Sequence, residues 1–181
     1  MGDEFTLQPH PDCPSNAVRS ITVTVRRGGG TLHLSYRVTG AIGDVLWPVP
    51  AEPVFTDELW RHSCFEAFVG DEGTPCYVEL NIAPSGQWAA YDFDDHRTGM
   101  RRADGAGVSE VVWQPGADVA ELRATADLSG LADVDWDVAL TTVIEERDGT
   151  KSFWALAHPP GPEDFHARDC FTARLAAPTA S

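Results

Sequence analysis

The residues best suited to chemistry crowd the C-terminal end, where His158 to Phe171 reads "HPPGPEDFHARDCF". His158, His166, Asp169 and Cys170 are all metal-ligating types. Their spacing fits no established zinc pattern. His166 with Asp169 would serve as an acid–base pair if Cys170 or a serine stood beside them as nucleophile. Pro159, Pro160, Gly161 and Pro162 force a loop, so the stretch also reads as the wall of a binding pocket, with Asp164, Phe165 and His166 facing a ligand.

A second constellation is "LWRHSCFEAFV", Leu59 to Val69. On a strand here, alternation sends Cys64, Glu66 and Phe68 to one face and Phe65, Ala67 and Val69 to the other. A glutamate between two phenylalanines is either satisfied by a nearby arginine or accepts hydrogen bonds from a ligand, because buried charges persist only when paired or bound. His62 and Cys64 share a face and are a weak metal-binding pair.

The third constellation is "CYVELNIAPSGQWAAYDF", in which Glu79 and Asn81 point to one sheet face. With Glu66 on a neighbouring strand they form a polar patch. It reads either as a solvated sheet face or as a sugar-binding surface, since a hydroxyl wants both donor and acceptor and asparagine supplies both. Asp92, Asp94 and Asp95 lie in an acidic loop without an EF-hand pattern, which reads as solvated surface.

These residues need a scaffold, and the scaffold is written in period two. "RSITVTVRR" and "TLHLSYRV" alternate around Gly28, Gly29 and Gly30, the signature of a β-hairpin. Prolines 48, 50 and 53 then interrupt any regular pairing. Further alternating runs bring the count to about ten strands at the turn spacing of an all-β fold. The expectation is an antiparallel β-sandwich of two packed sheets, jelly-roll-like. Helical periodicity is confined to short turns at Thr56–His62 and in "DLSGLAD". The expected organisation is an N-terminal extension over 1–18, one sandwich domain over 19–176 and a C-terminal tail over 177–181. Of the six tryptophans, most belong to the core. Trp60, in the polar run "ELWRHS", and Phe165 are the aromatics placed to stack on a ligand.

Composition narrows the partners. The chain of 181 residues carries a net charge of −15, the wrong sign for a nucleic acid or an anionic membrane surface. No apolar run approaches the ~20 residues of a membrane helix, and no secretory signal opens the chain, so a cytoplasmic location is expected. Cys13, Cys64, Cys76 and Cys170 form no CxxC pair and are expected to stay reduced. Cys64 and Cys76 could face each other across a strand pair. The absence of a phosphate-binding Gly loop, a GxSxG elbow or HExxH weighs against the common enzyme classes, and no cofactor is called for.

"LWRHSCFEAFV", "YVELNIAPSGQWAAYDF" and "WALAHPPGPEDFHARDCF", in that order, resemble the bacterial DOMON-like proteins, which are similar to family 9 carbohydrate-binding modules. The resemblance runs from Ile21 to Leu175. It implies a β-sandwich whose ligand site lies on one side, with two aromatic rings clamping a terminal sugar. Trp60 and Phe165 fall at those rings, Glu66 at a polar glutamate and Asn81 at a hydrogen-bonding asparagine. Glu79 stands where an arginine is expected, and His166 is not an expected sugar contact. A haem-binding branch shares the fold; its axial ligands would have to come from residues such as Met100.

The expected function is a non-catalytic module for a sugar or similar polyhydroxylated molecule, with Trp60, His62, Glu66, Glu79, Asn81, Asp164, Phe165 and His166 at the site. The alternatives are a metal-dependent or acid–base enzyme built on His62, Glu66, His158, His166, Asp169 and Cys170, and a haem-binding domain.

Overall fold

The computed structural model describes residues 2–178; the last three residues of the expected C-terminal tail lie outside that range. The chain folds into strands β1 (Asp3–Pro9), β2 (Val18–Gly28), β3 (Thr31–Gly40), β4 (Cys64–Asp71), β5 (Tyr77–Ile82), β6 (Trp88–Phe93), β7 (Arg101–Arg102), β8 (Gly107–Pro115), β9 (Val119–Asp127), β10 (Trp136–Glu145), β11 (Lys151–Ala155) and β12 (Ala173–Leu175). The expected turns at Thr56–His62 and "DLSGLAD" are single 3-10 turns, Leu59–Arg61 and Ser129–Leu131.

The β2–β3 hairpin follows from its sequence. Gly28 pairs with Thr31 across a two-residue turn, and Gly29 adopts a φ of 64°, a left-handed conformation open to glycine. Gly30 has a different reason: a Cβ there would stand 2.6 Å from the Ser129 Cα. Along β2 and β3 the inward residues Ile21, Val23, Val25, Leu32, Leu34, Tyr36 and Val38 are all buried.

All pairings between the strands are antiparallel, in the order β7-β6-β5-β4-β10-β11-β1-β2-β3-β9-β8, with β12 beside the start of β10. The expected pair of separate sheets is therefore one continuous, strongly curled sheet. β1 makes the join. Its first residues pair with β2, as in Leu7 with Ile21. Its last two pair with β11, Gln8 with Ala155 and Pro9 with Trp154. Residues 3–9, expected to lie in an extension before the domain, are thus the strand that connects its two wings.

The wings curl over a shared core. Val23, Leu34, Tyr36 and Leu122 from one wing meet Phe65, Ala67, Leu80 and Leu140 from the other. The Tyr36 hydroxyl donates to the Glu66 carbonyl oxygen at 2.7 Å, and its ring centroid lies 5.0 Å from that of Phe65. Trp136 and Trp154 are core residues, while Trp47, Trp88 and Trp113 pack against the core partly buried. Burying each large apolar side chain contributes about 1.5–3 kcal/mol.

β4 is buried on both faces along almost its whole length. Phe65, Ala67 and Val69 enter the shared core. The opposite face, bearing Cys64, Glu66 and Phe68, would be open sheet if nothing covered it. Loops cover it, and a second apolar cluster forms there around Phe68, Tyr77, Tyr91, Phe93 and Phe165. The cysteines are all free. Cys64 pairs with Val143, and Cys76, just before β5, bonds the Asp94 carbonyl, so the two do not face each other.

Candidate functional site

The covered face holds a pocket of about 330 Å³. Its floor follows from alternation on neighbouring strands. Glu66 of β4 lies between Thr141 of β10 and Asn81 of β5. Glu79 of β5 lies between Phe68 of β4 and Tyr91 of β6. Glu66 and Glu79 are therefore diagonal neighbours on one sheet face, roughly 7–8 Å apart at the backbone. Phe68, Phe93, Val143 and Phe153 supply the apolar floor.

Three loops build the walls. The turn before β4 contributes Trp60, whose ring meets Tyr91 edge-on at 5.7 Å. The loop after β6 contributes Arg97 and Met100. The proline-rich C-terminal loop contributes Glu163, Phe165 and His166, with Phe165 6.0 Å from Phe153.

The floor is electrostatically unusual. Glu66 is 2% exposed and Glu79 4%. The Thr141 hydroxyl donates to Glu66 Oε2 at 2.8 Å. The Asn81 amide donates to Glu79 Oε1 at 2.7 Å. Burial, then repulsion from Glu79, pushes the Glu66 carboxyl well above the usual carboxylate range, against the Thr141 hydrogen bond. Burial pushes the Glu79 carboxyl up likewise, opposed by Asn81 and more distantly by Arg97.

His166 is neutral at physiological pH. Burial, then Arg97, pushes its pKa down to about 4. Its Nδ1 lies 2.8 Å from the Tyr77 hydroxyl, and that oxygen accepts the Arg97 backbone N–H at 3.2 Å. The tyrosine hydrogen is then directed to Nδ1, which leaves the ring hydrogen on Nε2. Nε2 faces Glu79 Oε2 at 3.8 Å, too far for a hydrogen bond.

Of the residues expected at a site, Trp60, Glu66, Glu79, Phe165 and His166 line this one pocket. Asn81 does not: it is fully buried, holding Glu79 with its amide and receiving the Cys64 thiol at 3.7 Å. Asp164 stands behind the wall. It takes Arg97 Nη2 at 2.9 Å and His96 Nε2 at 2.7 Å, and its Oδ1 accepts the His166 backbone N–H at 3.2 Å. Burial alone would raise its pKa, but His96 and Arg97 outweigh it and hold the carboxyl below its ordinary value. His62 is elsewhere, with a 63% exposed side chain paired to Glu145 at 2.6 Å. It ends the turn before β4, and alternation has no hold on a residue outside the strand.

The metal or acid–base cluster is not assembled. His158 packs against His10 at 5.0 Å and reaches Gln8, Asp169 is exposed, and burial pushes the Cys170 thiol up to about 11. Among the described residues, no three His, Cys, Asp or Glu side chains sit together as metal ligands. For haem, Met100 and His166 share the pocket wall, but Tyr77 occupies one nitrogen of His166 and Glu79 faces the other.

Residue-by-residue reading missed Arg97, Phe93, Val143, Phe153 and Glu163, and met Met100 only as a candidate haem ligand. Phe68 was legible, since it shares the face of Glu66. Phe93 and Glu163 lie inside stretches quoted above but carry no pattern that singles them out, and Arg97, Val143 and Phe153 come from other segments.

No protein-family model matches the chain, and no curated protein matches it. Solved structures do. A candidate carbohydrate-binding protein from Bacteroides uniformis superposes with a TM-score of 0.67 at 15% identity, over 97% of this chain and 86% of that one. A family 9 carbohydrate-binding module from Caldicellulosiruptor kristjanssonii, solved in complex with cellotriose, superposes with a TM-score of 0.51 at 9% identity, over 94% of this chain and 85% of that one. At such identities the likeness is one of fold.

Proposed function

We propose that the chain, with the fold of these sugar-module structures, is a non-catalytic module that holds a small polyhydroxylated ligand, a sugar or a similar molecule, in the pocket between Trp60 and Phe165. One observation carries the reading. The same pocket is lined by the aromatic rings of Trp60, Phe93, Phe153 and Phe165, and by hydrogen-bonding groups of Glu66, Glu79, Arg97 and His166. A sugar presents that same pairing, with C–H faces for stacking and hydroxyls that donate to carboxylates and accept from Arg and His. The volume of about 330 Å³ is at the small end of ligand pockets, in keeping with one or two rings rather than a long chain. The fold likeness to a cellotriose-bound module points the same way, as does the resemblance of the sequence to DOMON-like proteins. Four free cysteines fit a reducing, cytoplasmic setting.

The test is a panel of mono- and disaccharides titrated into the protein, followed by tryptophan fluorescence and by amide shifts in NMR. Binding should move the Trp60 indole signal and residues of β4 and β5. Saturable binding elsewhere, or none across the panel, refutes the reading. Turnover of a glycoside that is lost in Glu66→Gln would overturn its non-catalytic part, because paired carboxyls with raised pKa values are also the equipment of acid–base catalysis.

A further inference from the structure

The pocket holds two carboxyls without a cationic partner, and a neutral sugar leaves them so. A buried carboxyl group is either paired with a cation or kept protonated by its surroundings. Glu66 and Glu79 are both buried, and neither has a lysine or arginine within ion-pair distance; the nearest basic group is neutral His166, 3.8 Å from Glu79. Arg97 is on the wall, but Asp164 holds its guanidinium through Nε at 3.1 Å and Nη2 at 2.9 Å. The remaining charged lining group, Glu163, is also acidic.

The hydrogen bonding is incomplete in the same place. Thr141 satisfies Glu66 Oε2 and Asn81 satisfies Glu79 Oε1. Among the described residues, Glu66 Oε1 and Glu79 Oε2 receive no hydrogen bond. Two buried carboxyls thus each keep an open oxygen on one pocket, and aromatic rings surround them. Phe68 and Phe93 form the floor, with Trp60, Phe153 and Phe165 close by.

We infer that the ligand carries a protonated primary amine, seated between Glu66 and Glu79: within the sugar-binding reading on which this rests, an amino sugar. An ammonium brings the missing positive charge and three N–H donors for the open oxygens. Ring faces nearby add cation–π attraction. A quaternary ammonium brings the charge but no donor, and a plain hydroxyl brings a donor but no charge.

Seating a cation there also drives protons off the carboxyls. The titratable and polar groups around the pair are Cys64 on β4, Tyr77 and Asn81 on β5, Tyr91 on β6, Thr141 on β10, Arg97, Glu163 and His166 on the loops, and Tyr36 behind the sheet in the shared core. None is a free cation able to replace the ligand's charge.

The experiment is calorimetric titration of the full chain at pH 7 with glucosamine, galactosamine and mannosamine, each against its parent hexose and its N-acetyl derivative, in buffers of differing ionisation enthalpy. At least one hexosamine should bind about tenfold or more tighter than both neutral counterparts, the margin a charge-assisted hydrogen bond provides. The heat should vary with buffer as protons leave the protein. Glu66→Gln and Glu79→Gln, near-isosteric changes, should each weaken hexosamine binding far more than hexose binding, so that most of the preference is erased. A hexose that binds as tightly as its hexosamine overturns the amine but leaves the sugar-binding reading standing. A preference that persists in both variants also overturns it, by placing the amine elsewhere. Absence of binding across all the sugars sinks both readings.

Discussion

Replacing Glu66 with glutamine should make the protein more stable, by an amount that grows with pH. Glu66 is a buried acid with one donor, from Thr141, and a second buried acid on the neighbouring strand. Its carboxyl is held above the unfolded-chain value. Such a group binds more protons folded than unfolded between its two pKa values. Its contribution is therefore intact below the unfolded carboxylate pKa of about 4.3 and is lost as pH rises through the folded value. Each pKa unit is worth about 1.4 kcal/mol. A carboxyl carried to the neutral range should then cost on the order of 2–3 kcal/mol more at pH 9 than at pH 5.5. Glutamine keeps the shape, accepts from Thr141 and never ionises. The assay is urea unfolding of wild type, Glu66→Gln, Glu79→Gln and the double variant at both pH values. The gap between Glu66→Gln and wild type should widen by about 2–3 kcal/mol from pH 5.5 to 9. Titration of the acids outside this pair is common to all the proteins and cancels. Because repulsion between the two carboxyls is mutual, the gains in the double variant should total less than the sum of the singles. A gap that stays flat within about 0.5 kcal/mol, the scatter of ordinary surface changes, would mean that Glu66 ionises normally, and the argument for an uncompensated pair would fail.

Trp60→Ala should weaken sugar binding by tenfold or more, as loss of a stacked aromatic anchor does, while the chain stays folded because Trp60 is only partly buried; unfolding of the variant would assign Trp60 to the core instead. Arg27 stacks over Trp136 at 3.8 Å and donates to the carbonyls of Gly29, Leu131, Ala132 and Leu175, so Arg27→Met should cost about 2–4 kcal/mol in urea unfolding by orphaning several carbonyls at once; a loss below 1 kcal/mol would show that water replaces the guanidinium freely. Thiol alkylation at pH 7.5, followed by peptide mass, should label exposed Cys76 well ahead of buried Cys64 and Cys170, whose thiols burial pushes up; equal labelling would mean that the C-terminal loop opens readily.

The local geometry of this protein is legible in its amino-acid order. Alternation in β2, β3 and β4 told which side chains share a face, because the period of a strand is a property of its backbone. It correctly put Glu66 with Phe68 and away from Phe65, and the Gly29–Gly30 turn joined β2 to β3. What covers a face is a different kind of information. "DEFTLQP" gives no hint that β1 spends its first residues on β2 and its last two on β11, since its pattern of two apolar side chains suits an edge, a tail or a bridge alike. Glu79 and Asn81 looked equivalent on one strand, yet Glu79 lines the pocket and Asn81 is wholly enclosed as its support. His62 looked like a neighbour of Glu66 and points to solvent. Most of the walls come from loops whose backbones repeat no period: Arg97 and Met100 after β6, and Glu163, Phe165 and His166 after β11. Those residues meet only when β4, β5, β6, β10 and β11 have paired and the loops close over them. Side-chain direction is a local property; enclosure, and the missing counter-charge it creates between Glu66 and Glu79, exists only in the folded chain.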